Sequence, residues 1–409
     1  MNLLEHHNDA VVRFNCAWAI CNLSLGTEEQ IRGLVDCGAI PVLVQLLRSS
    51  NDTKIKGQAL WALSNISAMS TSLRDYVVHM GALDLLVPVL DQRLPELLKQ
   101  AVCLCDILCK GTPPPATERT LIIVPSLLRV LKHPVLDEEV RIGVAWTLSH
   151  MTEGGMANIQ QLLAMKVAAV MIPLLGEDVP SLQASALRFV GNIAAGDDLH
   201  CSSLIQENTL PLLRSLLASN VNEQMKREAA WTLANISSGP QDHIQAILEA
   251  DDLLEVLISC SIEAVESIKV EIAWVITNIA SAGSPIQVQT AVERGAVEMI
   301  AELLDFPSSN LQLILLEGLE CIFHAGKLLQ DLTSGSPHPY RRELEITGAE
   351  EKLEQLLLHP NPHISNAAVQ LLDLLGAEGS GSDSEYLVPV TNQFLSGGSD
   401  DSQDEEMQF

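Results

Sequence analysis

Five tryptophans stand at positions 18, 61, 146, 231 and 274 of this 409-residue chain, 43, 85, 85 and 43 residues apart. Each gap of 85 is two steps of the same ruler. The intervening text places the ticks without tryptophan at Val102 and Arg188, and one step beyond Trp274 falls Glu317. Around the ticks related text returns: CAWAICNLS, LWALSNIS, VAWTLSHMTEG, ALRFVGNIAAG, AAWTLANISSG and IAWVITNIASAG. A second series with the same period precedes apolar runs, as at Gly38-Ala39-Ile40-Pro41, Gly81-Ala82-Leu83, Gly295-Ala296-Val297 and Gly348-Ala349. A period in the low forties marks an array whose single units cannot bury an apolar face alone.

Within a unit the pattern predicts three helices. After the tryptophan helix come turns rich in Gly and Ser, at 24–27, 237–240 and 281–284, which suit a helix end. Then follow a short helix over 28–35, a break at Cys37-Gly38 and a second helix over 40–47. Composition agrees: 47% of residues are hydrophobic but only 3% aromatic, and strand alternation with paired hairpin turns is missing. The expected fold is all-α, an armadillo-repeat, right-handed superhelical solenoid of three-helix repeats. It spans residues 1–376 in about eight to nine repeats, the first incomplete. Residues 377–409 carry eight acidic residues, Gly and Ser clusters and no Lys or Arg, and are expected to form a disordered acidic tail. An irregular insertion over 332–340 lengthens the last spacing.

Charge narrows the partners. With 24 basic against 52 acidic residues the chain carries −28, which argues against nucleic acid and anionic membranes and for a basic partner. The tail holds eight of those negative charges, and the remaining surplus is expected to line the binding face. No apolar run approaches the ~20 residues of a membrane span. Nine scattered cysteines and a start without a secretory pattern predict a reduced, intracellular protein.

The ticks pair with a residue four positions on: Trp18/Asn22, Trp61/Asn65, Trp146/His150, Arg188/Asn192, Trp231/Asn235 and Trp274/Asn278. Four residues apart is one helical turn on one face. For one pair alone, a core tryptophan and a capping asparagine is an even match. Recurrence favours a ladder of indoles beside a ladder of amides, since Asn is a poor interior helix residue. An amide row can hold the N–H and C=O groups of an extended peptide whatever its side chains. Slots between indoles suit the stems and charges of Lys and Arg, at about 0.5–2 kcal/mol per cation–π contact. Glu228 and Glu271, each three residues before a Trp, would supply countercharge.

The runs NCAWAICNLSLGTEEQIRGLVDCGAIPVLVQLL, ALRFVGNIAAG and EAAWTLANISSG resemble importin-alpha, the armadillo adaptor that binds nuclear localisation signals. The likeness covers nearly the whole chain, and the family also replaces Trp by Arg in a middle repeat, as at Arg188. It implies a nuclear import adaptor found in cytoplasm and nucleus, with two sites for basic signal peptides. The minor-site pattern is matched at Arg188, Asn192, Glu228, Trp231, Asn235, Glu271, Trp274 and Asn278. The major-site set is Trp18, Asn22, Gly26, Trp61, Asn65 and Trp146, and it is degraded. Its third pair has become Val102 and Asp106, and Ile31 and Met69 align where the family places a Thr and an Asp around a lysine pocket. A lost charged hydrogen bond costs about 1.5–3 kcal/mol, so the minor site is expected to contribute more than usual.

The family's basic amino-terminal segment, which binds importin-beta and occupies the groove in cis, has no counterpart in residues 1–17, where Arg13 is the one basic residue. Importin-beta binding is therefore doubtful by this reading. The alternative function is a non-transport armadillo scaffold or a cargo-sequestering regulator. The resemblance further implies a contact of the last repeats with the nuclear export receptor. No cofactor, metal or catalytic residue is called for: Cys103 and Cys105 point to different helix faces, and Pro360 and Pro362 separate His359 from His363.

Overall fold

The computed structural model describes residues 4, 9–92, 94–133, 137–332 and 338–376. The tail expected over 377–409 and residues 333–337 of the insertion lie outside them. Every regular element among the described residues is helical. Nine helices that open the series or close a repeat set its rhythm: Ala10–Ser24 (α1), Thr53–Ala68 (α2), Pro95–Cys109 (α3), Glu138–His150 (α4), Pro180–Ala194 (α5), Glu223–Ser237 (α6), Glu266–Ala282 (α7), Ser309–Leu332 (α8) and Pro362–Gly376 (α9). Two shorter helices precede each of α2, α3 and α6 to α9, as Glu28–Asp36 and Ala39–Ser49 precede α2, and before α4 and α5 3-10 turns add to the two short α-helices. The three-helix unit is the repeat the ruler predicts, and the short helices run one or two residues beyond the expected 28–35 and 40–47.

The second sequence series is the corner between those two short helices. The chain turns there through a left-handed residue: Gly38 (φ 78°), Gly81 (81°), Gly295 (100°) and Gly348 (69°). Side-chain-bearing residues take the same corner at Lys166 (61°), Asn208 (60°) and Asp251 (35°), a conformation that costs an L-residue about 1–2 kcal/mol. The first short helix is often sealed by a capping box, as in Thr27 with Gln30 and Ser284 with Gln287.

Packing runs from one unit to the next: α1 lies on α2, α2 on α3, and so on to α8 on α9. The interior is aliphatic, with Leu60, Leu63, Ile66, Leu233, Ile236 and Ile272 inaccessible to solvent. Burying each such side chain contributes about 1.5–3 kcal/mol. Ion pairs also join neighbouring units, Arg129 to Asp91 and Arg214 to Asp252 at 2.6 Å. These are half exposed and worth about 0–1 kcal/mol each, so apolar stacking dominates the unit-to-unit energy. Where a unit departs from the pattern, a buried cation serves the backbone. Arg74 Nη1 donates to the Lys110 carbonyl at 2.7 Å and Nη2 to the Pro113 carbonyl at 2.8 Å, holding the chain beyond α3. Among the described residues no single helix is long and apolar enough to cross a membrane.

Candidate functional site: an indole and amide ladder

The helix period decides which residues of α1 to α8 stay out of the core. In α6, Ala229, Ala230, Leu233, Ala234, Ile236 and Ser237 are buried, while Trp231 and Asn235, one turn apart on the opposite face, are half-buried. The same division leaves Trp61 and Asn65 outside the core of α2, and Trp274 and Asn278 outside that of α7. The helices stack in order, so the same two positions recur on successive units. The indoles differ: Trp18 and Trp61 are 53% and 49% exposed, whereas Trp146, Trp231 and Trp274 are half-buried.

Trp231 shows how an indole is seated. A Cβ added at Gly191 of α5 would lie 2.6 Å from Trp231 Cζ3, so the ring rests on a position that has room only for glycine. Val102 is different. It is buried, with 2% exposure, and packs towards Gly143 of α4, so the third tick belongs to the core rather than to the row. Ile31 is also a core residue and Met69 is half-buried at the end of α2, so neither offers a polar group to a cation.

The acidic residues are not equivalent. Glu228 accepts from Arg188 Nη2 of the preceding unit at 3.0 Å and from Gln224 Nε2 at 2.7 Å, so its charge is already answered within the wall. The expected countercharge beside Trp231 is thus engaged with Arg188. Glu271, its counterpart on α7, is pushed up to about 7 by burial, with Arg227 acting in the opposite sense. On α8, burial and the neighbouring Glu320 raise the Glu317 carboxyl as well.

Three of the amides are anchored by hydroxyls that sequence reasoning missed. Asn65 Nδ2 donates to Ser24 Oγ at 2.9 Å, Asn192 Nδ2 to Thr152 Oγ1 at 2.8 Å, and Asn278 Nδ2 to Ser237 Oγ at 3.2 Å. Each anchor stands two residues after a rung of the preceding unit, in the strings NLS, HMT and NIS. That recurring hydroxyl was the available signal. His150, standing in place of an amide, holds Asp106 through Nδ1 at 2.7 Å and stacks on Trp146 with ring centroids 5.7 Å apart. Lys110 Nζ lies 3.3 Å from the other oxygen of Asp106. Asn22 is exposed and Gly26 follows the end of α1. Cys105 and Cys109 are buried and their thiols are raised by desolvation, while Cys103 is exposed on another face. His363 lies on α9 and His359 before it, so the two share no helical face.

Residues 27–68 and 198–238 match the Armadillo/beta-catenin-like repeat family. An engineered protein of known structure superposes with a TM-score of 0.71 at 25% identity, covering 91% of this chain and 97% of its own. Importin subunit alpha-3 of Arabidopsis thaliana is 37% identical over 368 residues, which is 90% of this chain and 69% of the relative. The chain belongs to the importin-alpha family. Importin subunit alpha-1a of Oryza sativa subsp. japonica is 35% identical across 88% of this chain and 68% of its own length. Membership of the importin-alpha family carries the general role of nuclear import adaptor for localisation signals, a binding rather than an enzymatic role. A designed armadillo repeat protein in complex with the peptide (KR)4 also superposes, with a TM-score of 0.53 at 28% identity, covering 61% of this chain and 98% of its own.

Proposed function

We propose that this chain reads basic localisation signals in extended form along the row of indoles and amides. The reading is carried chiefly by the segment from Arg188 to Asn278. The observation that supports this most strongly is the rung geometry itself: half-buried indoles at Trp231 and Trp274 stand among amides of which Asn192 and Asn278 are fixed from behind. Between those indoles an aliphatic cationic stem would gain about 0.5–2 kcal/mol per contact, and Glu271 would answer its charge. The early segment keeps Trp18, Asn22, Gly26, Trp61 and Asn65, but Val102 has withdrawn into the core. At the next rungs Asp106, His150 and Lys110 already satisfy one another beside Trp146. It would therefore bind more weakly, as the notional major site of the family in degraded form. The chain would carry such cargo between cytoplasm and nucleus.

Calorimetry with a peptide of four Lys-Arg dipeptides, at 50 mM and 300 mM salt, tests the assignment. Binding that weakens with salt and is reduced about tenfold or more by Asn278→Ala supports it, one rung being worth about 1.4 kcal/mol on that scale. Binding that ignores both changes would refute it.

A further inference from the structure

Three anchors share a second hydrogen bond that decides how they act. Ser24 Oγ donates to the Cys21 carbonyl at 2.6 Å, Thr152 Oγ1 to the Ser149 carbonyl at 2.5 Å, and Ser237 Oγ to the Ala234 carbonyl at 2.9 Å. A hydroxyl has one proton. With that proton committed to its own helix, each anchor can only accept from the next unit. The amide facing it must then present its NH₂ inward, and its Oδ1 is turned away from the anchor. Asn278 is held most fully, since Nδ2 also donates to the Ala234 carbonyl at 3.0 Å.

The rung at His150 is held differently. His150, in place of an amide, is held by the Asp106 carboxylate at 2.7 Å, and Asp106 itself stands at the rung position of the preceding unit. The exception follows the rule too. Counting 41 residues back from Asn235, as from Asn65 to Ser24 and from Asn278 to Ser237, reaches Ala194, which has no side-chain acceptor. Asn235 Nδ2 is accordingly buried without a partner.

We infer that Ser24, Thr152 and Ser237 form a second ladder behind the first: positioning residues that orient the rungs, so that Asn65, Asn192 and Asn278 turn Oδ1 towards a bound peptide as acceptors for its backbone N–H groups. The inference rests on the proposed peptide reading. It adds that rung orientation is set one repeat upstream. Ala194 leaves Asn235 as the one unanchored amide among the described rungs from Asn65 to Asn278.

The test uses the whole chain and the peptide of four Lys-Arg dipeptides. Thr152→Val removes the acceptor at nearly constant shape, Thr152→Ser keeps it, and Ala194→Ser supplies one where it is missing. Thr152→Val is expected to weaken binding about three- to tenfold, the range of one net hydrogen bond, with Thr152→Ser restoring it. Ala194→Ser is expected to tighten binding about two- to threefold. The nitrogen-15 spectrum should show protected side-chain amide protons of Asn192 in the native chain and in Thr152→Ser, but not in Thr152→Val. This readout follows the rung and not general stability. If Asn192→Ala weakens binding while Thr152→Val leaves both affinity and the Asn192 amide unchanged, the positioning role is overturned and the peptide reading stands. If Asn192→Ala has no effect, both fall. Should Thr152→Val fail to fold, an unchanged affinity and unchanged Asn235 amide protection in Ala194→Ser would overturn the positioning role.

Discussion

At Glu271 burial and binding oppose each other. Its carboxyl is raised to about 7 because desolvation disfavours the charge, and the Arg227 field only partly offsets this. Since the folded pKa lies above the unfolded one, the folded chain binds more protons between about pH 4.5 and 7, and this residue's contribution to stability declines as pH rises through that window. A cation placed in the neighbouring slot favours the carboxylate, so peptide binding should release a proton. Affinity for a basic peptide is expected to rise from pH 6 to pH 8, by at most about tenfold per pH unit. Glu271→Gln should flatten that profile and lower the plateau, as titrations at four pH values would show. A profile unchanged in the variant would refute the role. Trp231 offers a second check. Gly191→Ala places a methyl 2.6 Å from the resting indole, so the ring must move. Peptide affinity should fall about two- to tenfold, the range of one cation–π contact, while Trp231 fluorescence shifts. These pairings were not legible in the chain, because Gly191 and Trp231, or Arg188 and Glu228, meet only once one unit is laid on the next.

Elements were legible in proportion to how local their causes are. The ruler of tryptophans located the helices α1 to α7, and the glycine series located the corners between short helices, because a left-handed corner selects glycine by its own backbone sterics. The withdrawal of Val102 into the core was not visible, since a missing indole reads the same whether the position faces solvent or packs on Gly143. The corners carry a prediction of their own. Lys166 takes the left-handed conformation that Gly38 and Gly295 adopt elsewhere. Lys166→Gly relieves about 1–2 kcal/mol of backbone cost and gives back about 0.4–1 through the freer unfolded chain, for a net gain of about 0.5–1 kcal/mol. Gly295→Ala should lose about 1–2 kcal/mol. Hydrogen exchange in the adjoining helices Met156–Ala164 and Ala296–Leu303 would register both changes, and a slower rate in Gly295→Ala would contradict the account.

Across the whole molecule, the repeat makes function additive. Each unit stacks on its neighbours through aliphatic burial, so on the proposed reading a rung can be lost or altered, as at Val102, without loss of the fold. Cations are few, and several bridge adjacent units, as Arg129, Arg214 and Arg188 do, which leaves the net charge of −28 free to attract a basic ligand. The central claim is that the strongest reading lies between Arg188 and Asn278 rather than on the early repeats. Its most direct measurement is the titration of the Lys-Arg peptide against Trp231→Ala and Trp61→Ala, with helicity checked in both. The account predicts the larger loss, about tenfold or more, in Trp231→Ala. A larger loss in Trp61→Ala would contradict it.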